Sequence, residues 1–204
     1  LDFTGRWDAW LSLEQQAETR ALATGDPYNA GWRASQAGYV QALRQQADAV
    51  LDCADRVAAH WHAAQAGARE RASAIRLRGL GHQLKKNYPA AIAASREALD
   101  LWRTLSAESP EVAIVLNDLA RAKWLSGALA AAELGVREAP RVARALNDVE
   151  GLAVYTGNLA ELALDRNDWP QAETLAREAL ALSEEIGRQG LIASNCEHLA
   201  RSLV

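Results

Sequence analysis

Methionine is absent from this chain of 204 residues, phenylalanine occurs once and cysteine twice. With no initiator, and with an opening, LDFTGRW, that reads as a helix tail followed by a turn, the sequence is expected to be a fragment cut in mid-repeat at both ends. Cys53 and Cys196 lie far apart, so free buried thiols are expected rather than a disulfide. No apolar run approaches the roughly 18 residues that cross a bilayer, and no charged-then-apolar leader opens the chain. A soluble, cytoplasmic protein without membrane contact is the expectation. The net charge of -4 is spread along the chain, with no basic block to displace phosphate counterions, which argues against a nucleic-acid partner. Val, Ile, Phe and Thr are sparse, whereas Ala, Leu, Glu, Gln and Arg abound. These latter side chains lose little rotamer freedom in a helix, so the chain is expected to be all-α.

The local signatures of catalysis are missing too. There is no GxxxxGK[ST] phosphate loop, no HExxH and no GxSxG. The four histidines are His60, His62, His82 and His198. His60 and His62 are two positions apart on a helix, where side chains diverge by about 200° and do not readily share a metal. Cys196 and His198 diverge in the same way. Cys53 and His60 stand two turns apart on one face, too far for a strong nucleophile–base pair. Neither enzymatic chemistry, nor a metal, nor a cofactor is expected.

What is present is a period. The stretch KNYPAAIAASREAL (86 to 99) returns as NDWPQAETLAREAL (167 to 180), with the aromatic-Pro pair and Arg-Glu-Ala-Leu in step. Taking that aromatic as marker, equivalent positions are Trp7, Ala47, Tyr88, Leu129 and Trp169, spaced 40, 41, 41 and 40 residues apart. Ten residues on, the register gives Ala17, Val57, Ala98, Ala139 and Ala179, apolar and mostly small. Helix-end signals keep step at Gly25, Gln65, Ser106, Asn147 and Gly187, where Gly and Asn suit the left-handed cap. Nine residues before each marker stand Gly38, Gly79, Ala120, Ala160 and Ala200, preceded by Ala37, Arg78, Leu119, Leu159 and Leu199. A small residue beside a large apolar one lets two helices cross closely. Each period therefore reads as a helix, a short turn and a second helix.

First-type helices are expected near 29–45, 68–86, 110–126, 148–166 and 189–203. Second-type helices are expected near 6–24, 47–65, 88–106, 129–146 and 169–187. Pro89 and Pro170 fall in first turns, where the missing N–H costs nothing. Pro140, inside GVREAPRVARAL, predicts a kink or an early break. Turn signals recur without an extra linker, so residues 1–204 read as one domain. Around Arg78 two registers compete, because LRGLGHQL fits the apolar pattern equally well through Leu77, Leu80, Gly81 and Leu84.

Small residues at the eighth position and near the twentieth and twenty-seventh (Gly79, Ala91 and Ala98; Ala160, Ala172 and Ala179), with an aromatic after the turn, resemble the tetratricopeptide repeat. The long period is similar to the variant found in kinesin light chains and bacterial signalling ATPases. The phrase GRWDAWLSLEQQAETRALATGD resembles the repeat arms of NB-ARC and other STAND ATPases. The resemblance implies an all-α, right-handed α-α superhelix, a solenoid of about five helical hairpins whose first-type helices line a concave groove. It implies a protein or peptide ligand in that groove, with the chain acting as interaction arm of a larger bacterial regulator; a structural spacer is the alternative. In register, the groove residues are Gln36, Tyr39, Asp118, Arg121, Asn158, Glu161 and His198, with Leu77 and Leu80 between them and Trp32, Asn117 and Asp165 nearby. An Asn at the place of Asn158 is implied to hold a peptide backbone, because its amide supplies donor and acceptor together. Trp7, Trp10, Trp102, Trp124 and Trp169 are expected to fill space between helices. An apolar end face around Leu199 is expected to allow end-to-end self-association.

Overall fold

The computed structural model describes residues 6–203, the side chains of Glu133 and Leu134 excepted. The turn expected in the opening LDFTG lies outside that range. Ten helices follow one another: α1 (Trp7–Ala23), α2 (Pro27–Leu43), α3 (Ala47–Ala63), α4 (Ala68–Leu84), α5 (Tyr88–Leu105), α6 (Pro110–Leu125), α7 (Leu129–Ala145), α8 (Val149–Asp165), α9 (Trp169–Glu185) and α10 (Gln189–Ser202). Their bounds lie within two residues of those expected, and the described residues contain no strand.

The turns explain the regular alternation. Gly25, Gln45, Gln65, Lys86, Gly127, Asn147, Asn167 and Gly187 all adopt positive φ. The amide after each reaches back to the carbonyl five residues earlier, as Asp26 N does to Ala21 O and Asp168 N to Ala163 O, both at 2.9 Å. These bonds satisfy carbonyls that a helix end would otherwise leave orphaned. Asp26, Asp148 and Asp168 then accept an amide of the next helix, so one short turn closes one helix and caps another. The turn at 106–109 departs from this. Ser106, expected to keep step, is not left-handed; its hydroxyl donates to Glu108 O at 2.7 Å, and Ser109 caps α6. Here the chain divides into two compact units, one ending at Leu105 and the other beginning at Ser106.

In the first unit the core gathers Ala34, Ala37, Val40, Val50, Cys53, Val57, Trp61 and Leu77. Gly31 lies against the Trp61 indole, where an added Cβ would collide with the ring. The two registers competing in α4 are both real, because they serve different neighbours. Gly79 faces Ala94 and Ser95 of α5, and Gly81 faces Val50 and Leu51 of α3. Leu77, placed provisionally on the groove, is 1% exposed and belongs to the core, with Leu80 packed beside it.

In the second unit Ala120, Val136 and Leu162 form one cluster, and Ala163, Leu164 and Ala172 another. Of the kink or early break expected at Pro140, the break does not occur: α7 runs on to Ala145. Val136, Ala139, Val142 and Ala143 are all buried, and that packing holds the helix across the hydrogen bond that proline cannot make. Ala98 and Ala179, the small residues of the repeated motif, are fully buried.

Within each unit the first-type helices approach one another, α2 to α4, α6 to α8 and α8 to α10. Second-type helices do not come as close along the backbone, and long side chains link them instead, Glu18 of α1 to Arg56 and His60 of α3 and Arg144 of α7 to Glu178 of α9. Side chains of consecutive first-type helices therefore meet, and theirs is the face on which a shared surface can form.

Candidate ligand-binding face

In the second unit this face carries a polar ladder. Asn158 Nδ2 on α8 donates to Asn117 Oδ1 on α6 at 2.7 Å, and Trp124 Nε1 donates to Asp165 Oδ2 at 2.8 Å. Both links join residues 41 positions apart, about one period. Asp118, Arg121 and Glu161 lie alongside, half-buried except for the exposed Arg121. The sequence pattern makes Asp118 the counterpart of Asn158, yet the structure pairs Asn158 with Asn117. Among the described residues, Asn158 Oδ1 and Asn117 Nδ2 make no further side-chain hydrogen bond, so the pair retains one acceptor and one donor on adjacent helices.

His198 departs from expectation. It is 8% exposed rather than on the open face, and its Nδ1 is buried without a hydrogen-bond partner. Burial pushes its pKa below the usual value, with Arg201 acting in the same direction and Glu161 opposing. The reason lies in the close approach of α10 to α8, which covers the ring.

In the first unit the corresponding face is aromatic. Trp32 is 40% exposed and meets Trp61 edge to face, with centroids 5.8 Å apart. Tyr39, half-buried, lies under the Arg76 guanidinium at 5.4 Å and accepts a hydrogen bond from Arg76 Nη1 at 3.0 Å. Gln36 is half-buried beside them. Tyr28 donates to the buried Glu70 carboxylate at 3.0 Å. Sequence reasoning missed Arg76, Trp124, Tyr28 and Glu70. The one available signal was a spacing near one period between a donor and an acceptor, as for Trp124 and Asp165.

A polar cluster on α1 and α3 also escaped it. The buried Glu18 carboxylate receives Arg56 Nε at 3.0 Å and lies 2.9 Å from His60 Nε2. Arg56 Nη2 reaches Cys53 Sγ at 3.5 Å. Burial pushes the Cys53 thiol up, which keeps it protonated and blunts it as a nucleophile. Cys196 is exposed rather than buried, and both thiols are free. Among the tryptophans expected between helices, Trp102 is buried and Trp7 and Trp124 are half-buried, whereas Trp10 and Trp169 are exposed. No helix among the described residues is long and apolar enough to cross a membrane.

Residues 70–145 match the tetratricopeptide repeat family profile. Among solved structures, BtubC (BKLC) from P. vanneervenii is 17% identical with a TM-score of 0.77, covering 97% of this chain and 83% of its own. TPR-like repeats assigned to a kinesin light chain of Podosopora anserina are 12% identical with a TM-score of 0.61, covering 90% of this chain and 97% of their own. The fold is thus that of a TPR-like solenoid. Among curated proteins none matches this chain in sequence.

Proposed function

We propose that this chain is a protein- or peptide-binding scaffold whose ligand lies across the first-type helices. Tetratricopeptide repeats generally mediate protein–protein interaction and typically serve as non-enzymatic scaffolds. The observation that carries the assignment is the Asn117–Asn158 pair. Two amides on neighbouring helices, locked to each other at 2.7 Å, hold one donor and one acceptor in place for a peptide group. Asp118, Arg121, Glu161 and Asp165 add charge of both signs around them, and Trp32, Gln36 and Tyr39 provide the equivalent face of the first unit. The chain works without chemistry of its own, by presenting pre-ordered contacts on several helices. The resemblance of its opening repeat to STAND arms supports a role as the interaction arm of a larger bacterial regulatory protein.

The test is a random peptide array probed with the chain, then with Asn158→Ala and Asp118→Ala. Binding spots are expected to fade with either variant, whereas spots that ignore both substitutions contradict the assignment.

A further inference from the structure

Arg78 stands where other repeats carry Ala37, Leu119, Leu159 and Leu199, and nothing on the ligand-binding face uses it. It lines a cleft of about 700 Å³ in the unit that ends at Leu105, with Ala58 and Trp61 of α3, Arg71 and Ile75 of α4, and Glu97 of α5. The cleft has a simple origin. Helices α3 and α5 each pack on α4, and the cleft draws its lining from all three. The floor is apolar and buried at Trp61 and Ile75, whereas the rim is exposed at Arg71 and Glu97.

The arginine in this slot is not paid for by any internal contact. Its Nε is sealed from solvent and has no hydrogen-bond partner. A guanidinium stays charged at every pH a folded protein meets, and a sealed donor without an acceptor disfavours folding. The alanine or leucine that other repeats carry there avoids that cost. Arg71, two helical turns earlier on the same face, brings a second guanidinium to the cleft, and neither arginine has an ion pair among the described residues. Two cations against the single carboxylate of Glu97 leave the slot with net positive charge.

We propose that this cleft binds an acidic segment of a partner protein, a peptide carboxylate bridging Arg71 and Arg78 while a neighbouring apolar side chain rests on Ala58, Ala63 and Ala66. Charge complementarity selects the anion. Glu97, on the rim, can accept a hydrogen bond from a backbone N–H, which a peptide offers and a free organic acid lacks. The site is built on α3, α4 and α5, which carry no part of the Asn117–Asn158 pair, and its test is independent of that pair.

The experiment is an array of octapeptides, each holding a pair of glutamates with varied flanks, beside counterparts with glutamine pairs, followed by solution affinities for the best glutamate peptide. Binding is expected to weaken by about tenfold in the glutamine counterpart, and equally in Arg78→Leu and Arg71→Gln. The melting temperature of Arg78→Leu is expected to stay level or rise, since an apolar residue replaces an uncompensated charge. Asn158→Ala is expected to leave this affinity unchanged. The proposal is overturned if glutamate and glutamine peptides bind alike, or if Arg78→Leu and Arg71→Gln bind as tightly as the parent. Should Arg78→Leu fail to fold, Arg71→Gln, a rim substitution, decides alone. Free glutarate that displaces the peptide at comparable concentration makes a small acid the occupant and refutes the peptide assignment.

Discussion

Single atoms decide the outcome at the glycines and at the buried histidine. An added Cβ at Gly31 enters the Trp61 indole, whose Nε1 is held by Tyr28 O at 3.2 Å and so resists moving aside. Gly31→Ala is expected to destabilise the chain by about 1–3 kcal/mol in urea denaturation. Gly190→Ala, facing open space in the first turn of α10, is expected to gain up to about 0.5 kcal/mol, less than a glycine in mid-helix would give. His198 responds to pH instead. Its folded pKa is depressed below 6.5 mainly by burial, so between the folded and unfolded values the unfolded chain binds more protons. Stability therefore rises with pH through that window, and the loss appears as pH falls below 6.5. The melting temperature is expected to drop from pH 8 to pH 5, and His198→Gln to flatten that dependence.

Helices were the most legible part of the sequence, because their signals are local. Apolar positions recur at helical spacing, proline opens α2, α5, α6 and α9, and a residue suited to left-handed backbone closes the helix before most turns. Where legibility failed at this scale, tertiary packing overrode a local rule. At Pro140 a local penalty of about 3 kcal/mol predicts a break, yet four buried neighbours carry α7 through. Pro140→Ala restores an N–H for the Val136 carbonyl but removes part of a buried ring. We expect a net gain of about 1–2 kcal/mol, less than the full propensity difference, visible as a raised melting temperature. Around Leu77 the sequence offered two registers as rivals; a helix buried on two sides uses both, and only the positions of α3 and α5 reveal it.

For the molecule as a whole, the period announced the architecture, whereas the candidate face was legible only in outline. Asn117, Asp118 and Arg121 stand on α6 and Asn158, Glu161 and Asp165 on α8, and hydrogen bonds link Asn158 to Asn117 and Asp165 to Trp124. Which of them touch is set by the offset between consecutive hairpins, a quantity that spacing in sequence does not carry. So Asn158 found Asn117 rather than Asp118, and His198 was covered by the approach of α10 to α8. The Glu18–Arg56–His60 cluster was invisible for the same reason, since it joins two second-type helices across a repeat.

The central claim is that the chain binds protein or peptide through its first-type helices. Its most direct test is the affinity of an array-selected peptide for the parent, for Asn158→Ala and for Trp169→Ala, an exposed aromatic on second-type helix α9. The account predicts a loss of about tenfold for Asn158→Ala, from a missing hydrogen bond to the peptide, and no change for Trp169→Ala. Unchanged affinity in Asn158→Ala together with lost affinity in Trp169→Ala would contradict it.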